Sequence, residues 1–166
     1  PISGGGVFVR MGTDWGSVEI IGNEIYGNTA GNAGGIACIE GAGAVIERNV
    51  IHHNGVSPYQ TAAIGAVFIR GDHCRLRNNT VADNDGGISI AMSVDTDVRN
   101  NIIVRNERGG LIVNPYVGAP VGLVYVYNDI WGNLAGDYVQ TLPGALDISA
   151  DPLFAGGDGS EGYTLA

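Results

Sequence analysis

The chain has 166 residues, of which 28 are glycine, and its 8 basic against 17 acidic residues give a formal net charge of −9. One domain is expected at this length. The negative charge argues against nucleic acid and against an anionic membrane surface as partners, because both are bound through clusters of Lys and Arg. All basic residues are arginine, which excludes a Schiff-base lysine and the lysine of a Walker-type phosphate loop.

Five copies of the pattern Asn-x-(Ile/Val)-x-x-Asn organise the chain. They begin at Asn23, Asn49, Asn79, Asn101 and Asn128. Two apolar residues two positions apart precede each copy, and glycine-led apolar segments such as GGIAC and GAVFI recur once per repeat. Each repeat therefore contains three short segments with period-2 alternation, which predicts three strands and leaves no room for helices.

Strands of successive repeats are expected to stack at about 4.8 Å into three parallel sheets around a narrow core. The expected inward stacks are Val7, Ile36, Val67, Ile88 and Leu111 in the first sheet, Ile20, Ile46, Leu76, Val98 and Tyr125 in the second, and Ile25, Ile51, Val81, Ile103 and Ile130 in the third. The first asparagine of each copy is expected to adopt the left-handed conformation at a turn and to hydrogen-bond along a ladder. The fold class is thus all-β, a parallel β-helix of five to six coils over residues 1–166.

The repeat resembles the right-handed parallel β-helix of the pectin-lyase-like superfamily, from residue 4 to about residue 154. The tail, with ISADPLF and GYTLA, is similar to the closing segment of many secreted bacterial β-helix proteins. The resemblance implies that residues 134–166 close the solenoid, that the chain is part of a longer protein, and that it acts outside the cell or at its surface.

Function is less constrained, because this fold hosts lyases, hydrolases, epimerases, esterases and inert spikes. The favoured hypothesis is binding or processing of a polysaccharide, for example an acidic, uronate-containing one. A non-catalytic adhesive module and a fragment of a larger polysaccharide lyase or hydrolase are the alternatives. End-to-end self-association is also expected, because an uncapped solenoid exposes an apolar cross-section.

A substrate groove is expected on the outer face of the glycine-led sheet, since the three most variable turns flank it. Arg10 and Arg70 would stand two coils apart, roughly 10 Å, where they could hold carboxylates of an acidic glycan. Phe68 lies in the outward column of that sheet, and Trp15 is placed to stack on a sugar ring. Ordinary solvated arginines, paired to acidic neighbours such as Glu40, are the alternative.

His53 is the candidate general base, because histidine titrates near neutrality and this one adjoins a variable turn. Tyr59, in that turn, is the candidate acid. Asp72 and His73, in the tight turn GDH, are further candidates for substrate binding. The alternatives are surface histidines without partners at His52 and His53, and an Asp72 that bonds its own backbone.

Other titratable residues give weaker signals. Asp83, Asp85, Asp95 and Asp97 are available as carboxylates, but no pair is evident for glycoside hydrolysis, and Asp97 is expected to pair with Arg75. No cofactor is expected. The segment GGDGSEGY, residues 156–163, has a single similarity to a calcium-binding nonapeptide. Cys38 and Cys74 suit a buried pair of thiols or one disulfide.

Overall fold

The computed structural model describes residues 4–10, 16–40, 43–57, 65–114, 118–155 and 160–163, and these form a solenoid of parallel strands. Strands are numbered in chain order. The first sheet holds β1 (Val7–Arg10), β5 (Ala33–Ile39), β9 (Gly65–Arg70), β12 (Ile88–Ile90), β15 (Leu111–Val113) and β18 (Tyr138–Val139). The second holds β2 (Ser17–Ile21), β6 (Gly43–Glu47), β10 (Arg75–Arg77), β13 (Asp97–Arg99) and β16 (Val124–Val126). The third holds β3 (Glu24–Tyr26), β7 (Val50–His52), β11 (Thr80–Ala82), β14 (Ile102–Val104) and β17 (Asp129–Trp131).

The remaining elements are small. The short strands β4 (Thr29–Ala30) and β8 (Gly55–Val56) pair with each other, and Ser160–Tyr163 form one 3-10 turn. Within the described ranges there is no α-helix, so the prediction of an all-β parallel solenoid is confirmed. The structure also contains no helix, among the residues it describes, with the length and apolar character to cross a membrane.

The core is built on the three predicted inward stacks, in which Val7 and Tyr125 are only partly buried, and it also includes further inward residues of the first sheet such as Ile69 and Ile90. In the third sheet, for example, Val81 pairs in register with Ile51 on one side and Ile103 on the other, and all three side chains are fully buried. Equivalent strands of successive coils pair in the same register. The period-2 pattern of the sequence therefore determines which side chains face inward. Each fully buried aliphatic side chain contributes about 1.5–3 kcal/mol.

Two asparagine ladders run along the solenoid, one in each asparagine column of the repeat. The Oδ1 atom of Asn79 accepts hydrogen bonds from the N–H and the Nδ2 of Asn49, at 3.1 and 2.9 Å. Its own Nδ2 donates to the carbonyl of Ile46 at 2.9 Å and to Oδ1 of Asn101 at 3.0 Å. The side chain is 2% exposed, so the ladder satisfies polar groups that water cannot reach.

The left-handed residue precedes each asparagine, which corrects the prediction that the asparagine itself adopts this conformation. The residues with positive φ are Gly22, Arg48, Asn78, Asn100 and Tyr127 before the first asparagines, and Gly27, His53, Asp83, Arg105 and Gly132 before the second. The physical reason is that both the backbone N–H and the side chain of each asparagine are engaged in the ladder. The bend therefore falls on the preceding residue, which is either glycine or a residue whose side chain is exposed or half-buried.

Glycine stands at the start of β9 and directly before β12 because carbonyl oxygens of the next coil approach these positions closely. A Cβ added at Gly65 would lie 2.2 Å from the oxygen of Gly87, and one added at Gly87 would lie 2.1 Å from the oxygen of Gly110. Such distances exclude any side chain without backbone movement. This contact explains the glycine-led segments of the repeat.

Two aspartates end the ladders in the segment after Leu134. Asp147 Oδ1 accepts from the N–H and Nδ2 of Asn128 at 2.7 and 3.1 Å, and Asp137 Oδ1 accepts from the same atoms of Asn133 at 3.0 and 2.9 Å. A carboxylate accepts hydrogen bonds and donates none. It therefore suits the last position, where no further asparagine follows to receive a bond.

The cysteines Cys38 and Cys74 are free and buried, so the buried pair of thiols is confirmed and the disulfide alternative is wrong. Burial raises the pKa of the Cys74 thiol to about 11, although a hydrogen bond from the Ala44 backbone opposes the shift. Burial also raises the pKa of Cys38, with a smaller contribution from the neighbouring Cys74. Both therefore act as small apolar residues of the core.

Candidate functional site

A groove of about 430 Å³ lies where the third sheet turns into the first. Its floor is part of the second asparagine ladder, at Asn54 and Asn84, which are 1% and 3% exposed. Residues just before the ladder form one wall and residues just after it form the other. The repeat thus builds a groove that runs along the solenoid axis, because equivalent positions of successive coils lie about 4.8 Å apart.

The first wall consists of the left-handed residues His53, Asp83 and Arg105 from three successive coils. The Arg105 guanidinium binds Asp83 through two bonds, Nε to Oδ1 at 2.8 Å and Nη2 to Oδ2 at 2.7 Å. Tyr163 donates its hydroxyl to Asp83 Oδ2 at 2.9 Å, and the Arg105 guanidinium lies 5.3 Å from the centre of the Phe154 ring. The C-terminal segment therefore packs over the outer face of the third sheet beside the groove.

Partial burial would raise the pKa of the Asp83 carboxyl, but hydrogen bonds from Arg105 and Tyr163 and the charge of Arg105 outweigh it, and the pKa lies below its usual value. The same pair raises the pKa of Arg105, mainly through its hydrogen bonds to Asp83. At neutral pH the wall therefore holds a carboxylate whose charge is balanced by a fixed guanidinium.

This shift predicts an acid-dependent loss of stability. The folded-state pKa of Asp83 lies below that of the unfolded chain, about 3.9, so the ionised carboxylate stabilises the fold above that pH and the contribution disappears as the pH falls further. The difference in free energy of unfolding between the wild type and Asp83→Asn should shrink when urea titrations are repeated from pH 6 down to pH 3. A difference that stays constant over this range would contradict the assignment.

The second wall carries two further carboxylates, Asp85 and Glu107, together with Thr29 and Gly55. Asp85 Oδ2 accepts the backbone N–H of Val56 at 2.6 Å, which fixes its orientation. Glu107 is exposed, and its carboxylate has no hydrogen-bond partner among the described residues. With Arg105 balancing Asp83, the groove has a local excess of negative charge.

A chain of hydrogen bonds leads from the third sheet into the first wall. Nε2 of His52 lies 3.0 Å from Oε1 of Glu24, and Nδ1 of His52 lies 2.8 Å from Nδ1 of His53. His52 is 3% exposed, and its ring stacks on Tyr26 with ring centres 5.1 Å apart. The alternative of two surface histidines without partners is therefore wrong for this pair.

The outer face of the first sheet is closed at the positions where the groove was expected. Phe68 is 6% exposed and packs with Ala33, Ala37 and Ile39 in a second apolar cluster, so it offers no open surface. Ala37 shares this cluster, Ser89 and Ile112 of the same outward column are also buried, and only Phe8, on the edge strand, is exposed among these five positions. Arg10 is exposed but is paired with Glu40, with Nε to Oε2 at 2.8 Å.

The other proposed binding residues lie at the opposite end of the first-sheet strands from His53. Arg70 ends β9, and its guanidinium has no partner among the residues the structure describes. Asp72 Oδ1 accepts the backbone N–H of Val94 in the next coil at 2.9 Å, rather than a bond from its own turn. His73 Nδ1 lies 3.6 Å from Oδ2 of Asp95. The six-residue strand β9, roughly 20 Å long, separates this group from the groove.

Two candidates, Trp15 and Tyr59, lie outside the described residues, as do residues 156–159 of the glycine-rich segment compared with a calcium site. Within the described part of the chain no three His, Cys, Asp or Glu side chains are grouped as a metal site. Asp97 is hydrogen-bonded to Arg77 and Arg99 rather than to Arg75, its register partner. Arg75 is exposed.

Analysis of the sequence alone identified the groove residues only in part. His53, Asp83 and Arg105 occupy the same position of successive repeats, so their alignment is visible in the sequence. Their assembly depends on the left-handed bend, and the roles of Phe154 and Tyr163 depend on a tail without repeat pattern. Neither feature has a local sequence signal.

Comparison with known proteins gives one match. The protein-family model described as "Right handed beta helix region" matches residues 2–140. No curated protein and no solved structure matches the chain.

Proposed function

The chain belongs to the right-handed β-helix family, and from this premise we propose that it binds a polysaccharide outside the cell or at its surface. The supporting observation is the axial groove of about 430 Å³, lined by His53, Asp83, Asp85, Arg105 and Glu107. A groove that continues over several coils suits a linear polymer, and carboxylate, imidazole and guanidinium groups are suited to hydrogen-bond sugar hydroxyls.

The charge of the groove favours an uncharged glycan at this place. Asp83 is balanced by Arg105, whereas Asp85 and Glu107 have no cation beside them among the described groove residues. Like charges repel a uronate, so an acidic polysaccharide would have to bind elsewhere. Arg70 is the residue that supports this second candidate, because its guanidinium has no partner among the described residues.

A glycan array with three variants tests the proposal. We expect the wild type to bind neutral polysaccharides and Glu107→Ala to bind them about tenfold more weakly, the loss of a charged hydrogen bond of about 1.4 kcal/mol. Glu19→Ala, which removes an exposed glutamate from β2 in the second sheet, is the matched control and should bind as the wild type does.

Other outcomes of the same array would redirect the assignment. Binding to uronate-containing glycans that is lost in Arg70→Ala would place the site at the far end of the first sheet. Absence of binding by a correctly folded protein would favour a structural or adhesive module. End-to-end association of the solenoid stays a prediction, to be measured by light scattering.

A further inference from the structure

The histidine pair carries chemistry that binding alone does not need. His52 is buried between Tyr26 and Tyr163, with ring centres 5.1 and 5.0 Å away, and both of its ring nitrogens are hydrogen-bonded. His53 is exposed and lines the groove, and its Nε2 has no partner among the described residues. One end of this series of hydrogen bonds is thus the Glu24 carboxylate, and the other end is the His53 Nε2 atom, which has no hydrogen-bond partner among the described residues.

We propose that Glu24, His52 and His53 form a proton relay that presents His53 Nε2 to the groove as a base for a hydroxyl group, either of a bound saccharide or of water. The substrate class rests on the proposed function, whereas the relay rests on the hydrogen bonds of the free protein. In this arrangement His53 is the residue that touches substrate. Glu24 and His52 are positioning residues, because they act through His53.

The donor and acceptor roles in these hydrogen bonds assign the tautomers of both histidines. An ionised Glu24 can only accept, so Nε2 of neutral His52 must carry the proton it donates. The Nδ1 of His52 is then an acceptor, and the 2.8 Å contact requires His53 to donate from its own Nδ1. His53 is therefore left with an unprotonated Nε2 facing outward, the form that accepts a proton.

The relay allows the proton to be taken up without leaving positive charge in the groove. His53 Nε2 takes the proton of the hydroxyl group, whose oxygen keeps the electron pair. The proton on Nδ1 of His53 passes to Nδ1 of His52. His53 is then neutral again, and His52, protonated on both nitrogens, forms an ion pair with Glu24. The reverse sequence returns the proton.

The surrounding charges are compatible with this transfer. Asp83 is beside His53 and is itself neutralised by Arg105, while Asp85 and Glu107 lie on the opposite wall of the groove. On the buried side the groups that face His52 are the phenol rings of Tyr26 and Tyr163 and the Glu24 carboxylate. Burial and a hydrogen bond to Asp83 raise the pKa of Tyr163, so its phenol stays neutral.

Nitrogen-15 NMR of the free protein tests the relay without a glycan. At a pH where both histidines are neutral, we expect the proton of His52 on Nε2 and that of His53 on Nδ1. A wild-type His53 protonated on Nε2 in the neutral form, or a His52 protonated on Nδ1, would overturn the proposal.

Three variants separate the relay from packing. His52→Phe keeps an aromatic ring against Tyr26 and should move the His53 proton to Nε2, so that its acceptor nitrogen is lost. Glu24→Gln keeps an oxygen acceptor and should preserve both tautomers. Glu24→Leu removes the acceptor, so the proton of His52 should no longer be confined to Nε2. Glu24 lies on edge strand β3 and its side chain is 37% exposed, so its variants leave the core intact.

The outcomes distinguish this inference from the proposed function. The predicted tautomers without glycan binding would leave the relay standing and refute the polysaccharide as its substrate. Glycan binding with the wrong tautomer of His53 would leave the binding function standing and refute the relay.

Discussion

Asn79→Asp is expected to destabilise the protein strongly at neutral pH, although the two side chains have the same shape. The substitution places a carboxylate oxygen where Nδ2 now donates to the Ile46 carbonyl and to Oδ1 of Asn101, at 2.9 and 3.0 Å. Three acceptors would then face one another at a site that is 2% exposed. An uncompensated buried charge costs about 3–5 kcal/mol, a large part of the roughly 5–15 kcal/mol that stabilises a typical domain.

The pH dependence of this variant identifies the cause. Burial raises the pKa of the introduced carboxyl in the folded state, so the folded form favours protonation and the deficit in stability grows as the pH rises above about 4. A protonated side chain can donate one of the two lost hydrogen bonds. Urea titrations at pH 4 and pH 7 should therefore show a smaller deficit at the lower pH.

Asn23→Asp is the matched control. Asn23 makes the same bond to the next ladder member, with Nδ2 donating to Asn49 Oδ1 at 3.1 Å, and its Nδ2 also donates to the Ile21 carbonyl at 3.1 Å. It is the first member of the ladder and is exposed. Water can solvate a carboxylate there, so we expect a much smaller loss. An Asn79→Asp protein as stable as Asn23→Asp at neutral pH would show that the ladder does not depend on the direction of its hydrogen bonds.

The natural ends of the ladders support the same reasoning. Asp147 and Asp137 occupy the positions after Asn128 and Asn133, where only acceptors are needed. Aspartate is thus excluded from the interior of the ladder and suited to its end. Sequence spacing does not reveal these two residues, because the segments leading to them depart from the period of the repeat.

What the sequence predicts well follows from the repeat. A recurring asparagine pair determines the register, and the register determines every inward residue, such as Ile51, Val81 and Ile103. The alternation separates inward from outward positions but carries no information on what packs outside the sheet. Phe68 was therefore predicted to face a groove, whereas it lies in a second apolar cluster.

The groove itself required three-dimensional information. His53 was predicted as a base from its place beside a variable turn, a local argument, but its partners come from other coils and from the preceding residue. Tyr163 reaches Asp83 across 80 positions of sequence. Long-range contacts of this kind depend on how the tail folds back, and no periodicity in the tail predicts that path.

Val81→Asp should prevent folding, and it tests the register on which the whole interpretation depends. Val81 is fully buried in β11, with Ile51 and Ile103 as its neighbours in adjacent strands, so a carboxylate there has neither water nor a cation. Far-UV circular dichroism and soluble yield should both show loss of the fold.

Two further variants make the result specific to position. Thr80→Asp lies one residue away on the opposite face of the same strand, is only half-buried, and should unfold cooperatively near the wild-type midpoint. Val81→Ala should fold with a loss of about 1–3 kcal/mol, because it removes buried methyl groups without adding charge. Since a shift of one residue exchanges the two faces of every strand, a stable Val81→Asp together with an unfolded Thr80→Asp would reverse the assignment and move the Glu24–His52–His53 chain off the surface of the solenoid.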